Sequence, residues 1–590
     1  MISKRKKWII PHADPEKIDS LSRALRMSPV TARLLVNRGL EKPDRARRFL
    51  EPNLHQLSDP SLDSGVRAAA RFLKEAIKGR KHITIYGDFD ADGICASALM
   101  VRALQAAGAS VDFYVPHRFD EGYGLNVSAL EEISRRGSDV LITVDCGIGA
   151  NEQIKFANEM GLEVIITDHH QQRGELPPAR QLLNPHLENC SIGYEYLSGV
   201  GVAFKLAWAL GQSFGRDGSV ESGFKETLVD LLPLVAIGTV ADLVPMRDEN
   251  RAYVNYGLKL LSGSSLPGLK ALLQACGIAG KSTFSTYNIG YQLAPRLNAA
   301  GRMADARAAI EMLVTENSDK ARQIASQMEQ HNRKRQSIQR SISDEAMEMA
   351  RETHDIENCS CIVLSSADWH PGVVGLVASR LAESFSRPAF VFYEKNGIAR
   401  GSARSIPGLH LFNAVSQCSS LLNRFGGHEG AAGLTLPAAQ LESFKENIST
   451  ITQEFIGPEP PVPQLQLEGE IALDELSKPA VEELGLLEPY GEGNPEPLFA
   501  ARGLEVVGNP QLVGSRRSHL AFLARQNQRT IRVIAFGKAD WLEAINQRGN
   551  GTFSLAFQPQ LNTYGNNYNV ELRAEDMQWD DETLIEKEGH

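Results

Sequence analysis

The chain has 590 residues, 42% hydrophobic and 23% charged, a globular composition on a length too great for one core, so several domains are expected. Its formal net charge of −10 excludes binding of a polyanion over the whole surface, and any nucleic acid must lie in a local channel. Seven cysteines without a CxxC pair exclude a zinc knuckle and a disulfide framework and fit a reducing cytoplasm.

The basic start, Lys4 to Lys7, leads into an apolar run that stops at Pro11, too short for a secretion signal. Ile18 to Leu25 and Val66 to Ile77 have helical apolar spacing. Strands at about 82–87, 111–115, 139–144 and 163–167 then alternate with helices at about 93–107, 126–136 and 150–160. That alternation predicts a parallel, doubly wound α/β sheet. Helices at about 202–214, 224–236 and 251–262 complete the lobe. The least polar segment, Leu228 to Val244, is broken by Asp230, Pro233 and Asp242 and is a buried element, with no membrane span expected. Residues 305–355 contain neither Pro nor Gly and read as one or two long helices. A second βα pattern runs from Cys361 to about Phe455, and Gly457 to Pro463 reads as an extended linker. Beyond it, five short alternating segments from Gln464 to Phe557 fit a small Greek-key barrel, of which the OB-fold binds single strands.

Chemistry concentrates at a few of these element ends. The strand Ile83 to Gly87 runs into Asp88, Asp90 and Asp92, and a continued pleat would point all three to one face. Carboxylates that close resist joint ionisation unless a hard divalent cation lies between them. A calcium loop is excluded, because the position that needs a bidentate glutamate is Leu99. Apolar runs also end at Asp145, at Asp168-His169-His170 and at Asp242. Open parallel sheets gather ligands at the carboxyl ends of strands, so these groups are expected to meet in one crevice. Arg296 and Arg302 flank Asn298-Ala-Ala-Gly301, read as a turn whose small residues let backbone approach a ligand.

Asp88-Phe-Asp90-Ala-Asp92-Gly93 followed by Asp168-His169-His170 resembles the DHH phosphoesterase superfamily. With Leu293 to Met303, Trp369 to Gly375, Gly401 to Ser405, Gly426 to Gly433 and Leu487 to Pro495, the chain is similar to that superfamily's single-strand-specific 5′→3′ exonucleases. The resemblance covers about Tyr86 to Phe499. Residue pattern and resemblance together divide the chain into an N-terminal helical extension (1–60), a DHH catalytic domain (61–304), connecting helices (305–355), a DHHA1 domain (356–455) and an OB-fold domain (464–577).

The resemblance implies that Asp90, Asp92, Asp145, His169 and Asp242 are metal ligands, with Asp145 bridging two ions and Asp88 a further ligand or an orienting acid. Mn²⁺ or Mg²⁺ suits that donor set. His170 would contact the scissile phosphate, or else be a core histidine bonded to backbone. Arg118, Ser402 and Arg404 resemble a pocket for a 5′-terminal phosphate, and Arg296, Arg302, His370, Gly427 and His428 are further expected contacts to the strand. Related pyrophosphatases carry a histidine where this chain has Tyr86, which raises the weight on Asp88. The implied activity is degradation of single-stranded DNA to mononucleotides in recombination and repair. A cytoplasmic monomer working beside a helicase and the single-strand-binding protein is expected. The alternatives are a phosphodiesterase for short oligonucleotides or cyclic dinucleotides, which lacks the segment after Pro463, and a non-catalytic DNA-binding scaffold, which would lack the acids.

Overall fold

The computed structural model describes residues 6–118, 120–122, 124–172, 174–188, 190–191, 193, 195–456, 462–548, 551–562, 569–581 and 585–588. Most of the expected linker, residues 457–461, lies outside them, as do Lys4 and Arg5. Two compact units are present, one of residues 52–460 with 491–494 and one of 1–51, 461–490 and 495–590.

In the larger unit a five-stranded sheet is parallel throughout. Its order is Ser110–Tyr114, His82–Gly87, Val140–Val144, Glu163–Thr167 and Gln181–Leu183. Order reverses between His82–Gly87 and Val140–Val144, the switch point at which such sheets leave a crevice. Register pairs Gly87 with Val144 and Val144 with Thr167. The next residue on each strand, Asp88, Asp145 and Asp168, therefore emerges at the same edge. Behind the sheet, the helix Ala91–Ala106 is buried along most of its length by the helices Gly199–Phe214, Ser222–Ala241 and Arg307–Val314.

The helix Ser318–Thr353 has 36 residues and is about 54 Å long at 1.5 Å per residue. Ala321, Ile324, Ala325 and Met328 belong to the core of the first lobe, and Ile342, Ala346 and Ala350 to that of the second. Both lobes of this unit therefore share one rigid rod. The second lobe holds a mixed sheet in the order Arg424–Gly427, Ala431–Pro437, Ile398–Arg404, Ala389–Lys395 and Ile362–Ser366.

In the smaller unit Phe499–Val513, His519–Gln526, Arg529–Ala535, Asn569–Trp579 and Phe553–Asn562 form a sheet closed by pairing of the first strand with the last. A five-stranded barrel is what the alternating segments led one to expect, and four of those segments are its strands; the segment at Gln464 lies outside it and Asn569–Trp579 takes the fifth place. The helices Pro15–Leu25 and Pro29–Asn37 share its core, and Lys7–Pro11 pairs with Gln464–Gln466 and Ile585–Glu588. Residues 7–51 thus pack with the barrel, a long-range association that local pattern does not carry.

Leu234 to Ala241, open in sequence to strand or helix, is the end of the helix Ser222–Ala241, so Asp242 is a helix C-cap. Two local expectations are corrected. The strand before Asp88 stops at Gly87, Asp90 caps the next helix and Asp92 lies in its first turn. The three acids therefore converge through a strand-to-helix corner and not through pleat alternation. Asn298 to Gly301 lies inside the helix Ala294–Met303. Its small residues serve packing, since a Cβ on Gly301 would lie 2.5 Å from the Phe89 carbonyl oxygen.

Candidate active site

Each acid is fixed by backbone donors that its own fold supplies. Asp90 Oδ1 accepts the N–H groups of Asp92 and Gly93, each at 3.0 Å, as an N-cap does. Asp92 accepts from Gly199 and Val200 at 2.7 and 3.0 Å, so a second helix begins directly on this carboxylate. Asp145 adopts φ 60°, a left-handed backbone that Asp tolerates better than most residues and that is often retained at functional positions. Its N–H donates to the Thr167 carbonyl at 3.0 Å, which ties it to the neighbouring strand.

Asp168 is the pivot of the DHH triplet. Buried, it accepts the N–H groups of His169 at 2.7 Å and His170 at 3.1 Å, the His170 ring Nδ1–H at 2.8 Å and the Ile148 N–H at 2.8 Å. Burial opposes its ionisation, but His170 and these donors outweigh it and hold the carboxyl below its usual range. His170 is correspondingly raised to about 9, because Asp168 overcomes the effect of burial. Half-exposed and bonded to a carboxylate, His170 is not a core histidine on a backbone carbonyl. Burial and the His170 charge drive His169 down to about 3, which keeps its imidazole neutral and ready to ligate.

Among the described residues, three groups bring donor atoms within 4.8 Å of one another: Asp88, Asp90 and Asp145; Asp92, His169 and Asp242; and Asp145, His169 and His170. Asp145 is common to the first and third. His169 Nε2 lies 3.1 Å from Asp145 Oδ1 and 3.4 Å from Asp242 Oδ2. Burial, reinforced by the neighbouring acids, raises Asp92 to about 7 and Asp242 to about 9, and lifts Asp88 and Asp145 well above their usual range. Asp88 Oδ1, Asp145 Oδ1 and His169 Nε2 are buried without a hydrogen bond among the described residues. Polar atoms orphaned together in this way suit a cation, and mostly oxygen donors with one imidazole suit Mn²⁺ or Mg²⁺. Tyr86 is turned away, its hydroxyl donating to the Gly124 carbonyl at 2.9 Å.

Cations face this cluster. Arg118 lies over the Phe89 ring, 4.8 Å from its centroid, with Asp88 and Asp90 nearby. Arg302 is lowered to about 9 by burial and then by Arg118, Arg335 and Arg404. Among the described residues no carboxylate pairs with Arg118, Arg302 or Arg404 within 4.0 Å. Ser402 and Arg404 share a face of the strand Ile398–Arg404, and a Cβ on Gly375 would meet both, at 3.3 and 3.5 Å. Gly375 is in the first turn of the helix Val374–Phe385, whose N–H groups favour an anion. Arg296 instead donates to Glu329 at 2.7 Å. His370 Nδ1 accepts from Gly372 at 3.0 Å and His428 Nδ1 from Gly430 at 3.2 Å, while Gly427 sits at φ 155° in the strand before His428.

Residue pattern missed two supports. Asp168 was placed at a strand end but given no role, and Asn298, which accepts the Ala91 N–H at 2.8 Å, gave no signal beyond its place in a matched stretch.

A parallel sheet with acids and histidines at its switch point, arginines beside them, and one long helix leading to a second lobe that carries Ser402 and Arg404 define a DHH phosphoesterase with a divalent-metal centre. The DHH family N-terminal domain matches residues 82–239, the DHHA1 domain 358–454 and the RecJ OB domain 467–576. The chain is 37% identical over 592 residues to the single-stranded-DNA-specific exonuclease RecJ of Bacillus subtilis, covering 100% of this chain and 73% of that protein. It superposes on the Mn²⁺ complex of Thermus thermophilus RecJ with a TM-score of 0.81 at 30% identity, over 98% of this chain and 80% of the other. For the Mg²⁺ complex the values are 0.73, 28%, 97% and 78%. The chain belongs to the RecJ family. Among the described residues no helix is long and apolar enough to cross a membrane, and the seven cysteines are free thiols.

Proposed function

We propose that the chain is a metal-dependent exonuclease that removes mononucleotides from the 5′ end of single-stranded DNA. The observation that carries this is the juxtaposition of an acid and histidine cluster with arginines 118, 302 and 404, which no carboxylate pairs among the described residues. Such a pairing of metal donors and uncompensated cations suits a phosphodiester held by its own charge. Two divalent ions, when bound by Asp88, Asp90, Asp92, Asp145, His169 and Asp242, would activate a water and stabilise the leaving oxygen of an in-line displacement.

The chain's own groups do the rest. Asp145, shared between donor groups, sets the spacing of the two halves. Asp168 keeps His170 protonated, so the imidazolium neutralises the scissile phosphate. Ser402, Arg404, Arg118 and the first turn of the helix Val374–Phe385 hold the 5′-terminal phosphate, and a fixed distance from there to the acids gives the enzyme its direction along DNA. Arg302 spans the interval. Arg296, His370, Gly427 and His428 are the further contacts to the strand. The protein is a monomer of the cytoplasm and works with a helicase and the single-strand-binding protein in recombination and repair. The retained acids oppose a scaffold role, and the barrel opposes a dinucleotide phosphodiesterase.

Purified protein with Mn²⁺ is expected to release mononucleotides from a 5′-phosphorylated single strand and to stall on blunt duplex. Retention of that activity by Asp145→Ala would overturn the metal assignment.

A further inference from the structure

Tyr287 and Tyr291 are 61% and 71% exposed, yet their rings stack on each other at 4.8 Å between centroids and 27° between planes. Large aromatic rings left in water are the informative exception on a protein surface. Tyr291 lies in a π-helical turn, Ile289–Leu293, that runs without a break into the helix Ala294–Met303. Counting in fours and threes from Tyr287 gives Tyr291, Pro295, Asn298 and Arg302, one face of that helix, which passes from exposed at the tyrosines to partly buried at Pro295, Asn298 and Arg302. At its far end the face enters the active site, where Asn298 holds the Ala91 N–H and Arg302 neighbours Asp90 and Arg404.

Resting on the exonuclease reading, we propose that Tyr287 and Tyr291 form a stacking platform for bases of the single strand downstream of the bond being cut. Two stacked rings leave outer π-faces on which a base extends the stack whatever its identity. The distance suits this role. Eleven residues separate Tyr291 from Arg302, about 16 Å at 1.5 Å per residue, equivalent to about five stacked nucleotides at ~3.4 Å each and fewer if the strand is extended. Charge follows the same route. Arg335, on the adjoining long helix, lies near both Arg296 and Arg302 and among the described residues bonds only the neutral Asn332 and Gln339, leaving a cation for the backbone between platform and metal centre. A platform here grips the strand in a sequence-tolerant way and keeps the substrate seated between cuts.

The test uses the full chain and two probes, 5′-phosphorylated oligothymidylates of three and twelve nucleotides. For the longer probe, Y291A and Y287A/Y291A are expected to raise Kd and KM at least about tenfold, with Y291F restoring most of the loss; stacking is worth ~1–3 kcal/mol per base. The loss is expected to vanish for the shorter probe, which does not reach the rings. An abasic site walked along the longer probe should weaken wild-type binding most at about the fourth to fifth position, and should have no effect there on Y291A. Unchanged affinity of the double variant for the longer probe would overturn the proposal. So would equal losses on both probes, because the tyrosines would then merely support the helix that carries Arg302. A wild-type protein that binds the longer probe without cutting it would overturn the exonuclease reading alone, with the abasic walk still deciding on the platform.

Discussion

One methyl group placed at residue 199 tests how closely the acid cluster depends on its supporting backbone. Gly199 opens the helix Gly199–Phe214 and donates its N–H to Asp92 at 2.7 Å. A Cβ there would lie 2.6 Å from both Cβ and Oδ1 of Asp145. Non-bonded carbons settle at about 3.5–4.0 Å, so one group must retreat by roughly 1 Å. Asp145 cannot slide freely, because its N–H is bound to Thr167. The helix cannot withdraw without releasing Asp92. Overpacking of this kind costs about 1–3 kcal/mol, and if that falls on the metal-binding conformation, Mn²⁺ affinity of Gly199→Ala drops about 5- to 150-fold. A shift near 1 Å in the reacting geometry lowers kcat by about 100-fold. Gly201→Ala is the control, since its Cβ would meet nothing nearer than 3.4 Å. Calorimetric titration with Mn²⁺, turnover on 5′-phosphorylated single strands and Tm would be measured for both variants. Wild-type Mn²⁺ affinity and turnover in Gly199→Ala, or losses no larger than those of Gly201→Ala, would refute the reasoning.

The remaining predictions concern charge. Asp168→Asn removes the partner that raises His170 to about 9, so the basic limb of the kcat/KM–pH profile should move down by about two units toward the ordinary histidine value near 6.5; an unmoved limb would show that His170 is not the required cation. Asp92 and Asp242, raised to about 7 and about 9 by burial, bind protons more tightly folded than unfolded, so they favour the metal-free fold at low pH and lose that contribution as pH rises through 7 to 9. Tm in EDTA should therefore fall across that window, while the Tm gain on adding Mn²⁺ should grow, since the metal no longer competes with protons; a gain independent of pH would contradict the assignment. Arg404→Ala should raise KM for 5′-phosphorylated strands about 10- to 100-fold, as expected for loss of a charge-assisted contact worth ~1.5–3 kcal/mol, and should barely affect 5′-hydroxyl strands; equal losses on both would remove it from the terminal-phosphate pocket.

How much was legible follows from which interactions are local. The four β-branched runs and the helices between them announced a parallel sheet because side-chain period is a local property. The short strand Gln181–Leu183 did not, since three residues at an edge carry no period. Leu234 to Ala241 could be read either way, for a run buried on every side shows no alternation and no stripe. Its helical form becomes clear only from packing against Ala91–Ala106 and Asp248–Leu261. Asn298 to Gly301 looked like a turn because Asn and Gly favour turns. Contact with Phe89, far away in sequence, is what places those residues in a helix. The register that aligns Asp88, Asp145 and Asp168 is likewise a pairing between strands, and no single strand encodes it.

Net charge is instructive in another way. A total of −10 argued only against nucleic acid spread over the whole surface, because it sums groups that never share an environment. Surface acids answer to solvent and salt, and exposed pairs such as Lys155 with Glu152 contribute little. The buried acids at the sheet edge answer to one another, and their raised pKa values show a need for cations that the fold itself does not meet. Arg118, lowered by burial, and Arg302 and Arg404, lowered by burial and by neighbouring arginines, show the converse need for anions. A phosphodiester with its metal ions meets both needs in one step. The recognition signal is therefore the separation of unsatisfied charge within a single crevice, a quantity that summed composition erases and that the strand register, the shared long helix and the second lobe together create.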